Sequence, residues 1–244
     1  MIISHKYRYI FIHCRKTAGS SVEVALARHL GPWDIKIGGW GDARSAGVRP
    51  NLRALLCLFH PRGLPMVAKR IAERRSPMSA VNQASRQCYR KLGGRTTAAG
   101  MARALGAVWD TYYKFCVVRN PYDRMVSDYY WKTARMASPP SFAEFVAERL
   151  EARGEAGEGA DGNWRLMTIN DQLVMDRCIR YERLNEDFGE VCRHLGIPWD
   201  GELPRAKSGL RRDVDLYTDR ERDAVRRLAR KEIELFGFEP PLRD

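Results

Sequence analysis

Near its start the chain sets a short apolar run against a small, basic, hydroxyl-rich turn and then a helix, and this order limits what can be built around it. Tyr9–Cys14 is apolar and aromatic, long enough for one buried strand. Arg15-Lys-Thr-Ala-Gly19 breaks it, and Ser20-Ser-Val-Glu23 opens a helical pattern in which Val22, Leu26 and Leu30 share a face before Gly31-Pro32. The order returns further on. Lys114–Val118 reads as a strand, Arg119-Asn-Pro121 as a break whose proline suits a first helical turn, and Tyr122–Arg135 as a helix striped by Met125, Val126, Tyr129 and Tyr130. Cys178–Tyr181 is a third candidate strand, and Leu184–Leu195 a helix closed by Gly196 and Pro198. Strands alternating with helices predict an α/β fold: a parallel β-sheet flanked by helices on both faces.

Other segments read less regularly. A helix is expected over Met101–Tyr113 and another over Ser141–Arg153, where a Ser cap precedes Glu144 by three residues. Thr218-Asp-Arg-Glu221 is a second capping box, starting a helix that runs to Phe236 and stops at Gly237. Residues 38–94 are rich in Gly, Pro and Arg, with helices expected at Pro65–Arg75 and Ser79–Leu92. Residues 154–162 are Gly- and acid-rich and read as a surface loop. No repeat and no linker is visible, so residues 1–244 are expected to form one domain.

Composition narrows the partners. Apolar residues make up 44% of the chain, enough for a sizeable core. The longest purely apolar run is six residues, Ala54 to Phe59, whereas a spanning helix needs roughly 20, so no membrane span is expected. Lys and Arg number 42 against 30 acids, a net of +12. Such a surface attracts polyanions: nucleic acid, anionic lipid, or a small ligand with several phosphates. Much of the excess falls between His60 and Arg103, where ten Lys/Arg face the single acid Glu73; the plain reading is a solvated basic face. Nucleic acid is disfavoured because no helix-turn-helix, zinc finger or RNP-like motif is present. The cysteines at 14, 57, 88, 116, 178 and 192 lack CxxC spacing, so a reduced, cytoplasmic setting is expected, with Cys14, Cys116 and Cys178 as small buried hydrophobes.

The two turns carry anion chemistry. In the first, the small residues after Lys16 let backbone N–H groups approach a phosphate at a helix N-terminus. Thr17, Ser20 and Ser21 offer hydroxyls, and Lys16 a mobile positive charge. This is not the Gly-x-x-x-x-Gly-Lys-[Ser/Thr] loop of Mg-nucleotide hydrolases. In the second turn Arg119 follows its strand directly and Ser127 sits two helical turns on, a fork beside a hydroxyl that suits a separate phosphate. Together they ask for a ligand with two separated anionic groups.

At these residues the sequence resembles a known family. Tyr9-Ile-Phe-Ile-His-Cys-Arg-Lys-Thr-Ala-Gly-Ser-Ser21 is similar to the 5′-phosphosulfate loop of sulfotransferases that use 3′-phosphoadenylyl sulfate (PAPS). Phe115-Cys-Val-Val-Arg-Asn-Pro-Tyr-Asp-Arg-Met-Val-Ser127 resembles that family's 3′-phosphate motif. Arg180-Tyr-Glu-Arg-Leu184, Ala206-Lys-Ser-Gly-Leu-Arg211 and Glu-Leu-Phe-Gly237 resemble later segments. The likeness is greatest to the carbohydrate-type branch and its small bacterial relatives, and it leaves out 38–94. It implies a P-loop-like sheet and a transferase that moves a sulfuryl group from PAPS to a hydroxyl of a carbohydrate or small-molecule acceptor, releasing PAP, with no metal. It implies that Lys16, Thr17, Ala18, Gly19, Ser20 and Ser21 hold the phosphosulfate, with Lys16 at the leaving phosphate; Arg15 beside them would either add positive charge there or point to solvent. Arg119 and Ser127 would hold the 3′-phosphate, Tyr181 would lie near the adenine, and Lys207, Ser208 and Arg211 would form a third cofactor segment. Residues 38–94 would be a variable insertion shaping the acceptor pocket, and their basic run favours a glycan or another anionic acceptor.

The match departs from the family at two places. Arg15 stands where Pro is usual, and Thr96 where a His-x-[Ser/Thr]-Ala segment would supply a base. A threonine is no general base at neutral pH. His60 is the remaining candidate in the unmatched region, with Glu23 and Asp128 as carboxylate alternatives and His13 as a structural histidine. A catalytically weak PAPS/PAP-binding protein and a basic nucleic-acid-binding protein are the competing readings.

Overall fold

The computed structural model describes residues 1–93, 96–152, 162–204 and 216–241. The strand runs read from the sequence lie side by side in one sheet. In chain order the strands are β1 (Ile2–Ser4), β2 (Tyr9–Ile12), β3 (Ile35–Lys36), β4 (Tyr113–Val118), β5 (Thr168–Ile169), β6 (Gln172–Leu173) and β7 (Arg177–Arg180). The helices are α1 (Gly19–Ala27), α2 (Trp40–Ser45), α3 (Leu52–Leu56), α4 (Leu64–Ala72), α5 (Pro77–Cys88), α6 (Ala98–Leu105), α7 (Ala107–Thr111), α8 (Pro121–Thr133), α9 (Phe142–Glu151), α10 (Trp164–Met167), α11 (Leu184–Leu195), α12 (Asp219–Leu228) and α13 (Arg230–Phe236).

The main sheet has five strands in the order β3-β1-β2-β4-β7, and β5 pairs with β6 in a separate hairpin. It is mixed, which corrects the expectation of a wholly parallel sheet. β2, β4 and β7 are parallel, whereas β1 runs antiparallel to both β2 and β3. The connection between β1 and β2 explains this: residues 5–8 are far too few for a crossover, so the chain must turn straight back.

Side chains alternate across the sheet. Tyr9, Phe11, Phe115, Val117 and Ile179 face α1 and α11, joining Val22, Leu26, Phe188 and Val191. Ile10, Ile12, Cys116 and Val118 face the other way, against Met101, Trp109, Trp164 and Met167 of α6, α7 and α10. Helices therefore cover both faces. Outside this sandwich, α8, α9 and α12 share a third cluster around Tyr122, Phe142 and Val225. A fourth, around Trp40, packs α2, α3 and α5 on the end of α1.

Two expected helices are each broken in two. Met101–Tyr113 becomes α6 and α7 because Gly106 stands at φ 53, ψ −129, a conformation that side-chain-bearing residues avoid. The C-terminal helix divides at Ala229, φ −126, ψ 22, although its apolar stripe continues through Ile233. The capping boxes at Ser141 and Thr218 both form. Residues 38–93 hold α2 to α5, the last two close to the expected bounds.

Candidate active site

The register places three strand ends on one edge. Ile12 pairs with Cys116, and Val118 with Arg180, so residues 13–18, 119–120 and 181 leave the sheet side by side. In open α/β sheets this carboxyl edge is where ligands bind.

The first corner is a tight, strained turn. Lys16 and Ala18 have φ values of 60 and 61 with Thr17 between them. Such alternating backbone turns successive N–H groups toward a common point and suits an anion. Ala18 is the helix cap and has no side chain that bonds the first turn of α1, so the helix opens with its N–H groups uncapped by side chain. Ser20 and Ser21 sit half-buried in that turn. Thr17 is buried and its hydroxyl donates to the Cys14 carbonyl at 3.0 Å, which closes the loop from inside. Asn163 brackets Arg15 from the start of α10: its Oδ1 accepts the Arg15 N–H at 2.8 Å and its Nδ2 donates to the Arg15 carbonyl at 3.1 Å. The Lys16 ammonium lies over the Trp131 ring, 5.2 Å from the centroid.

Under this corner lies a buried ion cluster. Glu23 Oε2 accepts from Lys36 Nζ at 2.8 Å, and Oε1 meets His13 Nδ1 at 3.0 Å and the Met1 amino group. Burial by itself would raise the Glu23 pKa, but the ammonium charges of Met1 and Lys36, with the His13 contact, outweigh it and hold the carboxyl well below its ordinary range. The shift favours the ionised carboxylate, which is engaged with Lys36, His13 and the Met1 amino group. The His13 ring packs on α1 so closely that a Cβ at Gly19 would lie 2.6 Å from its Cδ2, which explains the glycine. His13 is thus held between Glu23 and the start of α1.

The second corner joins the first. Arg119 is buried, and its Nη1 donates to the Lys16 carbonyl at 3.3 Å. Its guanidinium stacks over Tyr181, 4.1 Å from the ring centroid. Asn120 caps α8: its Oδ1 accepts the Tyr122 N–H at 3.0 Å and its Nδ2 donates to the Glu239 carbonyl at 2.7 Å. Ser127 is half-buried on α8, two turns on.

Beside Lys16 opens a cavity of about 160 Å³, lined in part by Arg15, Arg124, Asp128, Lys132 and Arg149. Asp128 gathers its cations: Lys132 Nζ at 3.3 Å, Arg149 Nη2 at 3.9 Å and Arg15 Nη2 at 4.0 Å. Arg124, which also lines the cavity, is held in a buried pair with Glu232 at 2.6 Å.

The Thr96 hydroxyl lies within hydrogen-bond distance of the Lys91 and Gly93 carbonyls, at 3.0 and 2.9 Å. His60 stands exposed in the turn between α3 and α4, its Nδ1 accepting the Arg62 N–H at 3.1 Å, and it does not line the cavity. Lys207, Ser208, Arg211 and most of the 154–162 loop lie outside the described residues. The six cysteines are free; Cys14 and Cys116 are buried as expected, whereas Cys178, whose Sγ lies 3.8 Å from that of Cys116, is only half-buried, at the edge of the core. Asn163 and Trp131 carry no sequence signal of their role; they are drawn in by α10 and α8 from a distance along the chain.

Two adjacent corners, one presenting backbone amides and a lysine, the other a braced arginine, define a site suited to anionic groups on an α/β sheet. A family model described as "Sulfotransferase family" matches residues 1–239, and the chain belongs to that family. Neither the curated proteins nor the solved structures gave a match. Among the described residues no helix is long and apolar enough to cross a membrane.

Proposed function

We propose that the chain transfers the sulfuryl group of PAPS to a hydroxyl of a carbohydrate or small-molecule acceptor and releases PAP. In this reading the first corner is a P-loop-like phosphosulfate loop and the second takes the 3′-phosphate. The observation that carries it is the contact chain Tyr181–Arg119–Lys16, which ties the two anion-suited corners together at 4.1 and 3.3 Å.

PAPS, when bound, supplies a sulfuryl group already joined to a phosphate that can leave. Lys16 would hold its ammonium at the phosphate oxygen where negative charge grows, favouring the transition state over the ground state. The opening turn of α1 would add its N–H groups and partial positive charge, with Ser20 and Ser21 as further donors. Arg119 is held in place before a ligand arrives, which lowers the ordering cost of gripping the 3′-phosphate. Ser127 would donate beside it, and the Tyr181 ring, already under the guanidinium, would lie along the adenine side.

A second reading is a PAPS/PAP-binding protein with weak catalysis. It is favoured by Thr96, whose hydroxyl is consumed by backbone carbonyls where the family motif has a base, and by the locked Glu23. One pair of measurements separates the readings. PAP at 100 times its Kd should stabilise the fold by about 2.7 kcal/mol through ligand linkage, seen as a raised Tm. Transfer from PAPS to a panel of sugars and phenols should follow. A Tm unmoved by saturating PAP overturns both readings; a raised Tm with no transfer to any acceptor selects the second.

A further inference from the structure

The basic segment after residue 50 is not simply a solvated face. α4 packs against α5, yet none of its residues is buried. Met66, Val67 and Arg70 are half-buried, while Leu64, Ala68, Ile71 and Ala72 are exposed. Those four recur at i, i+4, i+7 and i+8, a single apolar stripe along the helix turned to solvent. Ile71 is 69% exposed, Phe59 in the turn just before α4 is 74% exposed, and Leu52, Leu55 and Leu56 of α3 are exposed too. Exposed large apolar side chains grouped in this way mark an interaction surface.

Charge says what kind. Residues 59–75 carry Arg62, Lys69, Arg70, Arg74 and Arg75 against Glu73 alone. That one acid is already engaged by Arg70 at 2.8 Å and by Lys69 and Arg75 at 3.9 Å. A second copy of this chain laid on the patch would set like charge against like. An anionic surface would meet both features at once: apolar side chains enter the boundary between headgroups and acyl chains, and flanking cations meet the headgroups.

We propose that the α3–α4 face docks the protein peripherally on an anionic lipid bilayer, with Phe59, Leu64 and Ile71 inserted and Arg62, Lys69, Arg74 and Arg75 on the headgroups. This is independent of the reading of the sulfuryl-transfer site.

The test is co-sedimentation of the full chain with phosphatidylcholine vesicles and with vesicles containing 30 mol% phosphatidylserine. Binding is expected to the mixed vesicles, to be far weaker to phosphatidylcholine alone, and to fall with added salt. Each basic residue at such a surface contributes about 1 kcal/mol, roughly fivefold in partitioning. The triple change Lys69→Ala, Arg74→Ala, Arg75→Ala should therefore weaken binding about a hundredfold. Phe59→Asp and Ile71→Asp should each also lower it while leaving thermal unfolding unchanged, because both side chains are exposed. No binding to the mixed vesicles overturns the proposal, as does binding that these variants leave intact. Two further arms name the competitors. A concentration-dependent dimer in sedimentation equilibrium that Ile71→Asp abolishes assigns the face to a second copy. Binding to soluble polyglutamate without binding to vesicles assigns it to an acidic protein. Either result overturns lipid docking.

Discussion

At the first corner the helix begins on Ala18, which offers no side chain to its opening N–H groups; at the second it begins on Asn120, whose side chain takes the Tyr122 N–H, and on Pro121, which has no N–H to satisfy. The strand–turn–helix plan is the same. The first corner keeps its helix start available and invests its bracing underneath, in Thr17, Asn163 and the Glu23 cluster. The second closes its own helix start and presents a side chain, Arg119, braced by a carbonyl and a ring. In the proposed reading, one corner would take its anion with backbone and the other with guanidinium. Backbone amides can be aimed only by fixing φ and ψ, so the first corner accepts left-handed residues at Lys16 and Ala18. A guanidinium needs only its own partners, and the second corner carries no such strain.

The contrast breaks most severely if the first corner loses its support. Glu23→Gln leaves the buried Lys36 ammonium without its counter-charge. Removing one partner of a buried pair costs about 3–5 kcal/mol, read by urea unfolding; a loss under 1 kcal/mol would show that the ion cluster does not brace the corner. The pH dependence follows from the depressed pKa. A carboxyl whose folded value lies below its ordinary 4.5 contributes stability that is complete above that value and is lost as pH falls through the folded value. The part of the gap between wild type and Glu23→Gln that comes from Glu23's own ionisation should thus close progressively below about pH 4.5.

Next in size is the side chain the first corner adds to its amides. Lys16→Ala should lower kcat for sulfuryl transfer on the order of 10²–10³-fold, the usual loss for one preorganised electrostatic contact. PAP stabilisation should fall much less, since the amides of α1 remain. A kcat unchanged within threefold would remove Lys16 from the leaving phosphate.

Arg119 tests the opposite corner and should show the opposite pattern. Arg119→Ala should weaken PAP binding by about 1.5–3 kcal/mol, the worth of a hydrogen bond to a charged group, read by titration calorimetry. Arg119→Lys should recover little of it, because an ammonium can neither fork a phosphate nor stack flat on Tyr181. Full recovery by lysine would mean that charge alone matters at this corner.

These two corners were legible because each is local. A strand run, a turn and a helix stripe follow one another within about 25 residues, and periodicity reports such neighbours directly. The parts that organise them were not. β1 and β3 span three and two residues, too short to show alternation, yet they make the sheet mixed. The break at Ala229 falls on a good helix former inside an unbroken apolar stripe, so no local signal marks it. Asn163 reaches Arg15 across 148 positions, and the pairing of Glu23 with Lys36 depends on β3. The basic run at 60–75 was visible as charge, whereas the exposure of its apolar stripe depends on which side of α4 meets α5.

The smallest expected effect isolates what each helix start does. Asn120→Ala removes the cap of α8 and its bond to the Glu239 carbonyl. Loss of such a cap costs about 1 kcal/mol of stability, with a range of roughly 0.5–2. Because that side chain faces its own helix and the C-terminal segment, the change should lower Tm by a few degrees while the PAP-induced rise in Tm stays the same size. At the first corner the same logic runs backwards, since Ala18 has no side-chain cap to lose and, in the proposed reading, that helix start is where the anion would bind. A PAP-induced rise that shrinks by half or more in Asn120→Ala would show that the second corner's helix start also takes part in binding, and the division between backbone and side-chain recognition would fall.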